Sequence, residues 1–488
     1  MILTLLFAFS ACKKEEGDLK VNQEPETTFS IKEINLSGDD RLNSIVSLEW
    51  YGKDPDGYIV GYELSQDGNN WFYTTKQDST FQFSLDGGAD TADIELYVRA
   101  IDNENAKDPS PDYLRIPIKN TAPTIEFNQD LSPSDTSYLV TTIQWKANDL
   151  DGIETITGIE ISTDGVNWTN ISRTENTLSI VPINASSSGV TQGSIYYESS
   201  TNASSHVLEG LKVNDTNKLF VRAIDQAGAY SQIDTSETFY LKGKINNTLL
   251  VGGVPAANAG YASLLQAANV PFDFIDYGSN SGENQPAIWN VTFRLLINQY
   301  DKLILYSDAT GFINGYTNVK GLILEFAATS LQEFANNGGK YIIASAFDHD
   351  TEIDAFVGIL PIQSVSTKNY GDARLYRKNG SFPAEDSLVE SNLPNFPTLT
   401  ASPINSSAIA LSGVGVFNIN TADSEVLYEA ALSDRRPNVA WPDTKIIASG
   451  RRSAGKLNQV YFSVQLIELN GQSNMPNLID YLINTEFN

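Results

Sequence analysis

Two hydrophobic rhythms divide the chain. In the first half, apolar and polar residues alternate in short segments between Asp-Gly and Asn-rich turns, as in Leu48-Glu49-Trp50 and from Ile59 to Leu64. A period of two predicts strands with one buried face, and Asp67-Gly68 and Asp164-Gly165 suit tight hairpin turns because glycine accepts positive φ. Such a series predicts antiparallel strands in a sandwich. From Thr248 the rhythm changes. TLLVG (248–252) is continuously apolar, and 259–268 carries helical spacing through Tyr261, Leu264 and Leu265. Further strands are predicted at 272–276, 300–308, 340–346, 444–449 and 459–465, with helices through 331–337 and 474–484. Strands alternating with helices predict a parallel sheet covered on both faces.

The first half also repeats itself. SLEWYGKDPDGYIVGYELSQDGNNW (47–71) returns as IQWKANDLDGIETITGIEISTDGVNW (143–168), and LYVRAID (96–102) as LFVRAID (219–225). The second copy is longer between Trp168 and Arg222 than the first between Trp71 and Arg99. The surplus includes a Ser-, Asn- and Gly-rich stretch, 184–205, which predicts a long loop. An early-strand Trp (Trp50, Trp145), then Tyr62 or Ile159, then Tyr97 or Phe220, resembles fibronectin type III modules over 28–119 and 122–242. Thr121-Ala122-Pro123 marks the joint, where proline fixes φ and starts a new strand.

The third segment, 246–488, resembles the class I glutamine amidotransferase-like fold. The resemblance rests on LILYSD (303–308), FANNGGKYIIAS (334–345), VGILPI (357–362) and VYFSVQLIEL (460–469), in that order. It implies a flavodoxin-like parallel sheet. Enzymes of that family carry a Cys on the turn after a strand, with His and Glu late in the chain. The corresponding turn here is Ala344-Ser345-Ala346-Phe347, and no histidine follows the late strand, so the resemblance implies a scaffold without that chemistry. The expected fold class is therefore multidomain β plus α/β, with two antiparallel sandwiches followed by a flavodoxin-like α/β domain.

At the N-terminus, ILTLLFAFSA (2–11) runs directly into Cys12, the only cysteine, and then Lys13-Lys14-Glu15-Glu16. The run is shorter than the roughly 20 residues that span a bilayer. It lacks the basic residues that ordinarily open an export signal, yet it resembles a bacterial lipoprotein signal. That resemblance implies removal of 1–11, a diacylglycerol on Cys12 and a polar tether over 12–27. The charged tetrad resembles the export signal of Bacteroidetes surface lipoproteins, which implies an outer-membrane protein facing outward. Lipidation would leave no thiol for catalysis, disulfides or metals.

Charge narrows the partners. With 32 Lys plus Arg against 60 Asp plus Glu, the formal charge is −28, which repels nucleic acid and anionic headgroups. Candidate chemistry is sparse. Ser345, His349 and Asp308 (or Asp350) are candidates for a serine-hydrolase set at the carboxyl ends of predicted strands, where open parallel sheets bind ligands. Asp308, Asp348, His349 and Asp350 offer an alternative metal set. Against both stand the missing G-x-S-x-G elbow and the simpler role of a polar loop capping a helix at 351–356. His206, the other histidine, reads as a solvated loop residue.

The paired D-x-D-G loops, Asp54/Asp56 and Asp149/Asp151, have spacing that wraps calcium, or merely turns the chain. Arg99/Asp102 and Arg222/Asp225 read as pairs closing strand ends. Trp71, Phe72, Tyr73, Trp168, Tyr196 and Tyr197 exceed what two sandwich cores need and offer rings to sugars or proteins. The expected function is non-catalytic binding by a cell-surface lipoprotein that holds a glycan or joins an envelope complex. An extracellular hydrolase of a glycan or ester, and a purely structural envelope protein, are the alternatives.

Overall fold

The computed structural model describes residues 20–488 except 33–35, 39–40, 84, 86–88, 132, 134, 199, 279–285, 287, 309–311, 315–316, 348–350, 367–369, 378–386 and 437–438. The chain divides into two compact units. One holds 1–124 with 148–157 and 224–231; the other holds 125–147, 158–223 and 232–488.

The first repeat builds β1 (Glu26–Ile31), β2 (Ile45–Lys53), β3 (Ile59–Ser65), β4 (Phe72–Thr74), β5 (Asp78–Gln82), β6 (Thr91–Asp102) and β7 (Asp112–Lys119). One sheet runs β1-β2-β5. The other runs β4-β3-β6-β7 and continues into two short strands, so β4 and β5 are edges. The alternation buries Leu48, Trp50, Tyr62, Leu96 and Val98 between the sheets. Trp50 meets Phe29 and Tyr62 edge-on at 6.1 and 6.5 Å, and its Nε1 donates to Lys76 O at 2.9 Å. Its polar end is thus satisfied inside the sandwich.

The second repeat forms β8 (Thr124–Phe127), β9 (Thr141–Asn148), β10 (Ile156–Ser162), β11 (Thr169–Ile171), β12 (Thr177–Pro182), β13 (Gly189–Tyr197), β14 (Val207–Val213) and β15 (Phe220–Asp225). Its sheets run β8-β9-β12-β13-β14 and β11-β10-β15 with a short strand beyond. The predicted loop 184–205 therefore contains a strand. Thr191, Gly193 and Ile195 alternate inward there, and small polar residues between them hid the period. Within the second unit, Leu139, Val140, Val181 and Ala185 share one core with residues of the α/β domain. Thr142 and Thr292 hydroxyls also meet there at 2.7 Å.

The α/β domain contains β16 (Thr248–Gly252), α1 (Asn258–Ala267), β17 (Asp273–Asp276), β18 (Lys302–Ser307), α2 (Ile323–Asn336), β19 (Lys340–Ser345), β20 (Glu425–Ala430), β21 (Ile446–Ser453), β22 (Lys456–Phe462) and α3 (Met475–Tyr481). The sheet order is β17-β16-β18-β19-β22-β21-β20, followed by two short strands. The first five strands are parallel, but β21 pairs antiparallel with both β22 and β20, so the sheet is mixed rather than wholly parallel. The cause is local. Ala454 and Gly455 take positive φ (50° and 83°), folding β21 directly onto β22 as a hairpin instead of a crossover. The expected helix at 351–356 is absent: 351–353 carries no regular structure and 354–359 is turn. Ile353, Phe356, Ile359 and Leu360 are buried at helical spacing, but Gly358 and Pro361 interrupt the run before a regular helix is established. Among the described residues, no helix is long and apolar enough to cross a membrane.

Candidate functional site

The carboxyl ends of β18 and β19 lie side by side, with Ser307 opposite Ser345. Their hydroxyls share a 2.7 Å hydrogen bond, and Ser345 is only 1% exposed. Tyr461 Oη donates to Ser345 O at 2.9 Å. Above the pair, Gln465 Nε2 donates to Ser307 O at 2.5 Å, while its Oε1 accepts from Tyr261 Oη at 2.9 Å. Tyr261 stacks on Tyr306 at 3.7 Å, and burial pushes its phenol well above the ordinary range. Both rings therefore act as neutral hydrogen-bonding walls. Asp308 follows, half-buried. Asp348, His349 and Asp350 lie outside the described residues. Among the described residues, the strand ends that sequence singled out carry a buried amide, two stacked tyrosines and two hydroxyls that bond each other.

The D-x-D-G loops are latches. In the first copy Asp56 accepts the Gln23 backbone N–H at 3.2 Å, and Asp102 accepts Asn22 Nδ2 at 2.6 Å. In the second, Asp151 accepts the Thr121 N–H at 2.6 Å, and Asp225 accepts Asn120 Nδ2 at 2.7 Å. Each copy thus grips the segment just ahead of it in the same way. Asp54 turns its Oδ1 toward the Asp56 N–H, as Asp149 does toward Asp151. Burial raises the Asp149 carboxyl above its usual range, and the Asp151 and Asp225 charges add to the effect. Among the described residues no group of three or more His, Cys, Asp or Glu is arranged for a metal ion.

Nor do the arginines pair with Asp102 and Asp225. Arg99 reaches Glu63 at 2.7 Å and lies 4.0 Å over Trp71, while Arg222 reaches Glu160 at 2.6 Å and lies 4.2 Å over Trp168. Strand alternation puts Arg99 and Arg222 on the same outward face as those glutamates. Both tryptophans are therefore framework. Tyr197 Oη accepts the Ser172 N–H at 2.8 Å, Tyr196 packs against the second unit's core, and His206 is exposed beside Ser204.

The remaining aromatics open a site that sequence reasoning only touched. A cleft of about 500 Å³ lies in the first module, with Trp50, Leu64, Phe72, Lys76, Phe81 and Leu96 in its walls. Phe72 sits opposite Leu64 on β3, so both face the sandwich interior, yet Phe72 is 77% exposed. Edges β4 and β5 fail to close over it. In the second module the same mouth is shut: Thr169 Oγ1 on β11 donates to Val207 O of β14 at 3.1 Å, and Leu208, Leu211 and Val213 are buried.

No family model matches the chain, and no curated protein does. Among solved structures, the fibronectin(III)-like modules of Clostridium thermocellum CbhA are 12% identical, matching 44% of this chain and 94% of theirs at a TM-score of 0.16. A two-domain fibronectin type III segment of chicken tenascin is 10% identical, over 45% and 99%, with a TM-score of 0.19. The Bacteroides ovatus mixed-linkage glucan utilization protein SGBP-B, solved with a heptasaccharide, is 9% identical, over 48% and 52%, at 0.14. These neighbours are β-sandwich modules, and values this low carry no argument about function. The sandwiches of this chain rest on its own strand pairing.

Proposed function

We propose that the chain is a non-catalytic binding protein, tethered to the outer membrane by a lipid on Cys12, that holds its ligand in the first module's cleft. The observation that carries the reading is the exposed Phe72 over an open apolar floor, at a place where the second module is sealed. The aromatic and aliphatic floor is ringed by polar groups, among them Gln66, Asp67, Asn70, Lys76 and Asp78, and concave sites that join apolar surface to placed polar groups are where ligands bind. The ligand is a glycan, stacked on the rings, or a protein of an envelope complex.

The C-terminal domain is, in this reading, a flavodoxin-like and amidotransferase-like scaffold. Its parallel strands follow the order 2-1-3-4-5, which supports that assignment. Cys12 is the only cysteine, so the cysteine chemistry of that fold has no nucleophile here. A hydrolase needs a free hydroxyl at Ser345, and that hydroxyl is buried and bonded to Ser307.

Purification of the full-length protein from membranes in mild detergent tests the reading. Wild type is expected to retain a co-purifying protein or to bind a member of a glycan panel, and Phe72→Ser to lose it. Equal retention by both proteins overturns the assignment of the cleft. Cys12→Ser is expected to move the chain from the membrane to the soluble fraction; a membrane-bound variant overturns the lipid tether.

A further inference from the structure

The two repeats differ in one respect that names the cleft's occupant. Trp50 N donates to Gln77 O and Phe83 N to Ser44 O, so alternation in the antiparallel pair turns the N–H and C=O groups of Asp78, Thr80 and Gln82 outward from β5. Trp145 N donates to Asn176 O in the same way, which makes Ser179 of β12 the counterpart of Thr80. Ser179 is not at an edge. It pairs with Tyr196 of β13, and β14 follows. Those added strands cover Leu178 and Ile180, which are buried, whereas their counterparts Ser79 and Phe81 are only half covered. Gly193 marks how closely the addition fits, since a Cβ there would lie 2.5 Å from Ile180 Cγ2.

We propose that the first module takes up an extended strand of another polypeptide, which pairs with the β5 edge and seats apolar side chains beside Phe72 and Phe81. Strand addition supplies affinity through main-chain hydrogen bonds and specificity through pockets for alternate side chains. The cleft offers both at once. Among the described residues no strand pairs with this edge, whose charge is confined to Asp78 at one end, and unpaired edges are otherwise covered or charged along their length. The second module shows the covered form, made from its own chain. The incoming strand takes the place that β13 holds in the second module, with small or apolar residues at alternate inward positions and no proline at paired positions. The chain's charge of −28 favours a neutral or basic segment. This inference rests on the binding role assigned to the cleft and replaces "glycan or protein" by a protein strand.

The test uses a fluorescein-labelled synthetic peptide of residues 189–213 with Glu198 and Glu209 replaced by Gln, so that its charge suits the acidic chain, titrated onto the full-length protein and followed by anisotropy. Saturable binding is expected, with none for a scrambled peptide. Thr80→Pro removes one outward N–H while leaving pairing to β2 intact, and is expected to weaken binding by about tenfold. Amide hydrogen exchange on peptides of β2 and β3 serves as its folding control, and Phe72→Ser, at an exposed position, is a second variant expected to weaken binding. No preference over the scrambled peptide, or equal binding by Thr80→Pro and wild type, overturns the proposal. A glycan lost with Phe72→Ser but held normally by Thr80→Pro refutes strand addition and leaves the cleft as the binding site. A natural ligand indifferent to Phe72→Ser refutes the cleft itself.

Discussion

Gln465→Leu isolates what the polar groups at the strand ends do. Leucine matches glutamine closely enough in volume that no large cavity opens, so the cost is one of hydrogen bonding. The side chain donates to Ser307 O at 2.5 Å and accepts from Tyr261 Oη at 2.9 Å, and its surroundings are dry enough that water does not replace it. Each orphaned buried group costs about 1–3 kcal/mol. Tyr261 keeps one partner, the Leu466 N–H at 3.0 Å, and its ring stays stacked on Tyr306. The expected loss is therefore about 3 kcal/mol, in the lower half of the roughly 2–6 kcal/mol for two groups because Tyr261 keeps a partner. The chain folds as two units, so a single global transition is a poor readout. Amide hydrogen exchange in urea, followed on peptides spanning β18, β19 and 460–469, reports the second unit locally. Protection in those strands is expected to fall together while that of the first module stays unchanged. A change below about 0.5 kcal/mol refutes the reasoning, because it means that the groups are already hydrated and the crevice is open.

Two further outcomes follow from the repeats. Leu211→Ala removes a fully buried side chain of β14 and is expected to cost about 2–5 kcal/mol in urea unfolding of the second unit; a cost below 1 kcal/mol would mean that β14 is not a true part of that core. Asp149→Asn keeps the acceptor for the Asp151 N–H and turns its amide toward the Thr155 hydroxyl, which then accepts. The Asp149 carboxyl is raised in the folded state, so its ionised form weakens folding, and protonation relieves that cost as pH falls through the folded-state value. The variant is expected to be at least as stable as wild type at neutral pH and to lose its relative advantage on acidification; an advantage independent of pH refutes the charge argument.

What the sequence reveals, and what it hides, follows from how far each feature reaches along the chain. Leu48, Trp50, Tyr62 and Leu64 alternate because one sheet face is buried, a local fact that a period of two records. The paired carboxylates are equally visible, but the residues they hold are not. Gln23 and Thr121 precede the loops that hold them by a long stretch, Asn22 and Asn120 precede Asp102 and Asp225 by a longer one, and all four meet their partners only through tertiary folding. Strand β13 was masked by composition, since Gly193 and Thr191 look like loop residues until Ile180 and β14 pack against them. The cleft is hardest of all to read, because it arises from something the first repeat lacks. Phe72 follows the same alternation as a core residue, and nothing nearby announces that it stays uncovered. Only the second copy supplies the contrast: the edge equivalent to β5, one repeat later, carries two extra strands. Both repeats therefore share a sandwich whose open side must be met by something. One repeat meets it from its own chain, and the other presents it outward.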